Sequence, residues 1–82
     1  MSDKALRMLK HMRRQLWKQG TRDVSVRNAA LSIGVKLEGS EFEALVDELL
    51  RGGYLAPYPI PSLTAHGLYR LNDRGIAATD EG

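Results

Sequence analysis

The sequence predicts a small domain of the α+β class, mainly α with a small antiparallel β hairpin. Apolar residues recur at helical spacing over 3–19 and 40–51, and neither segment contains an internal glycine or proline. Two short apolar segments, 54–56 and 68–71, enclose all three prolines of the chain. Proline has no N–H to donate to a sheet, so the enclosed stretch must connect two strands rather than continue one.

The first helix is predicted over residues 3–19. Ser2 or Asp3 can cap its start, and Gly20 stands where a helix ordinarily stops. Trp17 flanks the apolar face, and we expect it at the rim of the core rather than stacked on a base. The predicted buried face consists of Ala5, Met8, Leu9, Met12 and Leu16. The opposite face carries Lys4, Arg7, Lys10, His11, Arg14 and Lys18.

The second helix follows a short connection. Residues 20–23 predict a turn, and the β-branched segment 24–26 favours either a brief strand or direct entry into a helix. Ser25 suits the N-cap of a helix over 26–33, which Gly34 would end. The buried face of this helix would be Val26, Ala29, Ala30 and Ile33.

The third helix is predicted over residues 40–51. Ser40 opens it, Glu43 completes a capping-box pattern three residues later, and Gly52 ends it. The expected core positions are Phe42, Leu45, Val46, Leu49 and Leu50. The solvent face carries four carboxylates and one cation, namely Glu41, Glu43, Asp47, Glu48 and Arg51.

The C-terminal part of the chain predicts a hairpin and a last short helix. Residues 54–56 and 68–71 would pair as antiparallel strands, and residues 57–66 would form a long loop or an edge segment. Asn72 would then cap a helix over residues 73–79.

Several classes of function are excluded by what the sequence lacks. The chain has no cysteine, which rules out disulfides and thiolate metal sites. His11 and His66 have no second ligand at metal-binding spacing, so we expect no metal and no cofactor. Neither a nucleophile elbow nor a phosphate-binding loop is present, so we expect no enzyme. No apolar run approaches the length of a membrane span, and we expect a cytoplasmic protein without membrane contact.

The charge of the chain is unevenly distributed. Residues 1–36 carry nine Lys or Arg and two acids, a net charge of +7. Residues 37–82 carry three Arg and eight acids, a net charge of −5. A basic half of this kind indicates a polyanionic partner, although a charge dipole also suits self-association or a protein partner.

The order of these elements resembles the winged helix-turn-helix superfamily. Residues 29–35 (AALSIGV) look like its second helix and the glycine turn that follows. Residues 40–55 look like a third helix running into the first wing strand, and residues 69–75 (YRLNDRG) are similar to the strand ending of bacterial and archaeal regulators. The resemblance covers residues 3–79 and implies a single winged-helix domain over residues 1–82.

The resemblance implies binding of double-stranded DNA, with the third helix in the major groove and the wing on the backbone or in the minor groove. Four carboxylates make the third helix a poor surface for phosphate, so we expect the cations of the basic half to hold the duplex. This predicts a non-enzymatic module of transcriptional regulation that contacts DNA mainly through its phosphates. The predicted nucleic-acid-binding residues are Lys4, Arg7, Lys10, Arg14, Lys18, Arg22, Arg27, Asn28 and Lys36.

An alternative use of the same fold is protein–protein contact. In that case the acidic third helix and the proline-rich wing would meet a basic protein partner. Tyr58 and Ile60 would then dock on the partner, whereas otherwise they would cover the core. The residues of this alternative are Glu41, Glu43, Asp47, Glu48, Tyr58 and Ile60. In either case, the small core and long first helix predict a homodimer.

Overall fold

The computed structural model describes residues 1–19 and 22–80, and the side chains of residues 17–19 are not part of that description. Over the described residues the chain forms five helices and one three-stranded antiparallel sheet. In chain order these are α1 (Asp3–Gln19), β1 (Asp23–Ser25), α2 (Val26–Ser32), α3 (Ser40–Arg51), β2 (Leu55–Pro57), α4 (Pro61–Ala65), β3 (Leu68–Leu71) and α5 (Asp73–Thr79). The predictions for the side chains of Trp17 and Lys18, and for residues 20 and 21, lie outside the described residues.

Helix α1 has the predicted bounds and the predicted buried face. The Ser2 hydroxyl accepts a hydrogen bond from the backbone N–H of Ala5 at 3.2 Å, which satisfies one of the donors left open at a helix start. All five predicted core residues are buried, and four of them have no exposed surface. The periodicity of apolar residues therefore predicted correctly which face of this helix packs on the core.

Both alternatives for residues 24–26 are realised, because the strand β1 runs directly into α2. The Ser25 hydroxyl accepts from the N–H of Asn28 at 3.2 Å, which confirms Ser25 as the N-cap. The Gln15 side chain binds the backbone of Ser25 on both sides: its Nε2 donates to the carbonyl at 3.1 Å, and its Oε1 accepts from the N–H at 2.7 Å. Helix α1 therefore holds the junction where the strand becomes a helix.

Helix α3 begins at Ser40, but its cap differs from the prediction. Gly39 occupies the N-cap position and no side chain caps the helix there. Ser40 lies one residue inside the helix, so the capping box predicted from Ser40 and Glu43 is wrong. Leu45, Val46 and Leu49 are buried as expected. The other two predicted core residues, Phe42 and Leu50, are only half-buried against the core.

The predicted hairpin forms, with its first strand shifted by one residue to Leu55–Pro57, and it is extended by a third strand. β3 lies between the other two, in the order β1-β3-β2, with Val24 opposite Tyr69 and Ala56 opposite Arg70. Pro57 is the last residue of β2, an edge strand, where the missing N–H costs no ladder hydrogen bond. The sequence alone did not predict that β1 would join this sheet.

Residues 57–66 were expected as a loop or an edge segment, and this expectation is wrong in part because α4 forms within them. Pro61 occupies the first turn of α4, where its fixed φ suits a helix and its missing N–H is not needed. The Thr64 hydroxyl donates to the Tyr58 carbonyl at 3.1 Å and closes the turn that precedes this helix.

Helix α5 occupies Asp73–Thr79 as predicted, but Asn72 does not cap it through its side chain. The Asn72 Nδ2 donates instead to the Gly53 carbonyl at 3.1 Å, which ties the start of α5 to the turn after α3. Gly75 lies so close to the Tyr54 carbonyl that a Cβ there would be 2.5 Å from its oxygen. None of the helices over residues 1–19 and 22–80 has the length and apolar content to cross a membrane.

Candidate nucleic-acid interface

The acidic residues of α3 lie on two opposite flanks of the helix. At about 100° per residue, Glu41 and Glu48 are about 20° apart, and Glu43 lies about 200° from Glu41. The ammonium of Lys4 pairs with Glu41, with 2.8 Å between Nζ and Oε2. The N–H and hydroxyl of Ser2 donate to the Glu48 carboxylate at 2.6 and 3.0 Å. This flank therefore binds the start of α1.

The contact with Ser2 also changes the titration of Glu48. The hydrogen bond from the backbone N–H of Ser2 lowers the pKa of the Glu48 carboxyl, and the bond from the Ser2 hydroxyl lowers it further. Both bonds favour the charged form, because an ionised carboxylate is the better acceptor. The two hydrogen bonds that join Ser2 to α3 therefore also favour the ionised form of Glu48.

The other flank of α3 carries Glu43 and Asp47. Asp47 pairs within the helix with Arg51, with 2.8 Å between Oδ2 and Nε. Three of the four carboxylates of α3 thus have an intramolecular donor, and Glu43 has no hydrogen-bonding or ionic partner in the described part of the chain. The net negative charge that α3 presents to a ligand is smaller than its composition indicates.

The outer side of α1 carries two exposed arginines. Arg7 and Arg14 are exposed, and no ion pair holds either of them among residues 1–19 and 22–80. They are seven residues apart, which places them about 10.5 Å from each other along one side of the helix. We call these two residues the α1 ridge.

A shallow hollow of about 200 Å³ lies beside the α1 ridge, between α1 and the end of α5. It is lined by Lys10, Arg13, Arg14 and Thr79. The structure thus brings Lys10 and Arg14 together and adds Arg13, which is not among the predicted nucleic-acid-binding residues. Its spacing of three residues from Lys10 is the signal that could have identified it.

The remaining predicted nucleic-acid-binding residues do not join the α1 ridge. Arg22 pairs with Asp73 at 2.9 Å and donates to the Leu71 carbonyl at 3.3 Å. Arg27 of α2 donates to the Ala65 carbonyl at 3.0 Å. This contact lies beside the flank of α3 that carries Glu43, opposite the flank that Lys4 contacts. Asn28 is exposed at the first turn of α2, and Lys36 is exposed in the connection to α3.

A groove of about 440 Å³ separates α3 from α4 and β3, and we call it the α3 groove. Glu43 and Asp47 line it from α3, and Arg27 lines it from α2. Its lining residues are Val26, Arg27, Phe42, Glu43, Val46, Asp47, Leu50, Thr64, Ala65, Gly67 and Tyr69. The arrangement is an apolar cleft with charged groups on its walls.

The two predicted wing residues differ in exposure. Tyr58 is half-buried, whereas the Ile60 side chain is 50% exposed and therefore does little to cover the core. Both line a second hollow together with Arg22 and Arg70. The exposed Ile60 is consistent with the docking interpretation of the wing.

Over the described residues, no group of three or more His, Cys, Asp or Glu side chains could hold a metal ion. In comparisons with known proteins, no family model, curated protein or solved structure matches this chain. The interpretation of the site therefore depends on its own residues and geometry.

Proposed function

We propose that this chain is a non-enzymatic DNA-binding module of the winged helix-turn-helix type, acting in transcriptional regulation. The order of elements supports the winged-helix proposal, since a short strand follows the first helix and a hairpin follows the third. In this proposal α2 and α3 correspond to the helix-turn-helix, and the segment from β2 to β3 corresponds to the wing. The small α4 helix lies within that wing.

The observation that carries the DNA proposal is the α1 ridge. Arg7 and Arg14 are exposed on one side of α1, and Asp3 is the single acid in that helix. Guanidinium groups are well suited to bind phosphate oxygens. Their separation of about 10.5 Å equals roughly three base-pair steps, since one strand carries a phosphate about every 3.4 Å along the duplex axis. Contacts of this kind fix a protein on the duplex without reading its sequence, so we expect weak sequence preference.

Helix α3 is the less suitable contact surface. The Lys4–Glu41 and Arg51–Asp47 pairs offset two of its carboxylates, but the cations in those pairs are thereby less available for phosphate. Glu43 keeps an uncompensated charge toward the α3 groove. Phosphate binding by α1 is therefore more favourable than insertion of α3 into a groove of the duplex.

The test is fluorescence anisotropy with a random-sequence duplex over a series of salt concentrations. We expect the logarithm of the binding constant to fall linearly with the logarithm of salt concentration. In the double variant Arg7→Gln/Arg14→Gln we expect weaker binding and a slope smaller by about 1.8, since each lost phosphate contact removes about 0.9.

The matched control removes the same net charge elsewhere. Arg51→Gln/Arg70→Gln changes two exposed cations on α3 and β3, and we expect it to keep most of the affinity and the original slope. Equal losses in the two variants would mean that net charge alone attracts the duplex. Absence of binding at about 50 mM salt, where nonspecific phosphate contacts are strong, would rule out the DNA proposal.

A second candidate is contact with a basic protein through the wing and the acidic side of α3. The half-exposed Ile60 favours it, whereas the internal bonds of Glu41 and Glu48 weaken it. This candidate gains support if the duplex does not bind at low salt. The predicted homodimer stays a prediction that light scattering at micromolar concentration can test.

A further inference from the structure

The hollow between α1 and the end of α5 enters the DNA proposal only through Arg14. We call it the α1–α5 hollow, and its lining residues are Lys10, Arg13, Arg14 and Thr79. We propose that it is a binding site for a single phosphate group, which it takes whether or not a duplex binds to the α1 ridge. Three properties support this ligand class: a positively charged lining, two guanidinium groups without an acceptor, and a small volume.

The lining of the α1–α5 hollow is positively charged. Lys10, Arg13 and Arg14 contribute three cations, and no acid is among the lining residues. Two acids, Asp80 and Glu81, follow α5 in the sequence, and counting both of them against the three cations still leaves a positive balance. Lys10 already has an interaction within the chain, so binding of an anion depends mainly on the two arginines.

Arg13 gives the clearest indication of a ligand. It is half-buried, whereas every other arginine in the described part of the chain is exposed. It has no hydrogen-bonding or ionic partner among the described residues, and the same is true of Arg14 beside it. A guanidinium carries five donors, and burying part of it without an acceptor is unfavourable. A phosphate group in the hollow gives both side chains an acceptor, and its oxygens match the fork of a guanidinium.

The end of α5 does not supply the missing acceptors. The Thr79 hydroxyl donates to the carbonyls of Gly75 and Ile76 at 3.1 and 3.0 Å. The N–H of Asp80 donates to the Ala77 carbonyl at 3.3 Å. These three carbonyls near the end of the helix therefore already have donors from α5 and the residue after it. An anion from solution is the acceptor that remains for the two guanidinium groups.

The size of the α1–α5 hollow suits a single compact group. Its volume of about 200 Å³ is below the roughly 300–1,000 Å³ typical of sites that enclose a drug-sized ligand. A phosphate group therefore fits, whereas the rest of a larger molecule would stay outside. Since the hollow is shallow and the ligand stays in contact with solvent, we expect a Kd of about millimolar, which two charge-assisted hydrogen bonds can supply.

The test is an NMR titration that follows the backbone amides of the ¹⁵N-labelled chain with inorganic phosphate at neutral pH. Sodium chloride keeps the ionic strength constant at about 0.15 M, where long-range attraction is largely screened. We expect saturable shifts centred on the amides of Arg13, Arg14 and Thr79. A titration with sodium chloride alone is the control, and we expect it to give small shifts without saturation, because chloride has no pair of oxygens for a guanidinium fork.

Two single variants with the same chemical change assign the site. We expect Arg13→Gln to raise the Kd of phosphate by about five- to tenfold, more than the effect of a fully exposed ion pair, because this guanidinium is half-buried. Arg7→Gln removes the same charge from the same helix outside the hollow, and we expect it to change the Kd by less than about twofold. The amide spectrum of each variant reports whether it is folded.

A phosphate group is carried both by small phosphorylated solutes and by the backbone of a nucleic acid, and the duplex titration separates these two sources. A salt slope smaller by about 0.9 in Arg13→Gln assigns the hollow to a phosphate of the duplex. An unchanged slope, together with a raised Kd for inorganic phosphate, assigns it to a small phosphorylated solute.

Phosphate shifts no larger than those of chloride at the same ionic strength would overturn the proposal. An unchanged phosphate Kd in Arg13→Gln, or equal losses in Arg13→Gln and Arg7→Gln, would do the same. The phosphate titration contains no DNA, so its failure leaves the DNA proposal intact. Conversely, a chain that binds no duplex at low salt still gives the phosphate titration its full meaning.

Discussion

Replacing Gly75 by alanine has two opposite effects on the free energy of unfolding, and the structure indicates which of them is larger. Gly75 lies inside α5, where alanine is ordinarily the better helix former by up to about 1 kcal/mol. However, the new Cβ would lie 2.5 Å from the Tyr54 carbonyl oxygen and 2.7 Å from the Leu71 Cδ1. The helix and the turn after α3 would have to move apart, so we expect the Gly75→Ala protein to be less stable.

The size of the stability loss depends on how far the Tyr54 carbonyl oxygen can move away from the new Cβ. An ordinary Cβ contact begins near 3.4 Å, so the Tyr54 oxygen is about 0.9 Å too close. It is a backbone atom, and it accepts the N–H of Asn72 at 3.0 Å, so no side-chain rotation relieves the clash. Overpacking of this kind costs about 1–3 kcal/mol, and we expect about 2–3 kcal/mol here because the clashing oxygen belongs to the backbone. After the gain in helix propensity we expect a net loss of about 1–2 kcal/mol, or about 5–15 °C in Tm for a domain of this size.

The assay is thermal and urea unfolding followed by circular dichroism at 222 nm. The exposed Ala77, also in α5, provides the control. We expect Ala77→Gly to lose up to about 1 kcal/mol through propensity alone. A Gly75→Ala protein as stable as the parent, or more stable, would refute the close approach of α5 to the Tyr54 carbonyl.

Two further predictions concern contacts that join α1 to the rest of the chain. Gln15→Ala leaves the N–H and C=O of Ser25 without their side-chain partner, so we expect urea unfolding to give a loss of about 1–3 kcal/mol; a loss within error would contradict the two-sided bond. Glu48 has a lowered folded pKa, chiefly through the Ser2 N–H. Its contribution is therefore complete above the ordinary glutamate pKa and is lost as the pH falls through the folded value. We expect Glu48→Gln to remove that part of the acid dependence of the urea midpoint, and an unchanged pH profile would argue against the Ser2 contact.

The helices that carry the core could be predicted because local patterning specifies them. The bounds of α1 and α5 match the sequence prediction, and Ser25 was recognised as the cap of α2. Each of these features depends on side chains within one or two helical turns. A periodic apolar face or a capping hydroxyl is sufficient to indicate it.

Features that depend on distant residues could not be predicted in the same way. The pairing of Asp23 with Arg70 brings β1 beside β3 across 47 positions of sequence, and nothing in the three-residue strand indicates it. Helix α4 has five residues, too few for a periodic signal. Asn72 has the residue type of a cap, but tertiary structure offers it the Gly53 carbonyl instead.

The candidate site shows the same division. Sequence alone identified exposed cations on α1, since helical spacing separates them from the apolar face. It did not indicate that Lys4 would pair with Glu41 or that Arg27 would bind the Ala65 carbonyl. Basic residues of the same type therefore differ in whether their charge is available to a ligand.

The central position of β3 has a consequence for synthesis of the chain. Residues 68–71 pair with both β1 and β2, and those two strands have no direct hydrogen bonds to each other in the sheet order. When a nascent chain has emerged from the ribosome only as far as α4, β1 and β2 are present but β3, which lies between them in the sheet, is not. The sheet closes only after residue 71 has emerged, so folding is completed near the end of translation of this segment.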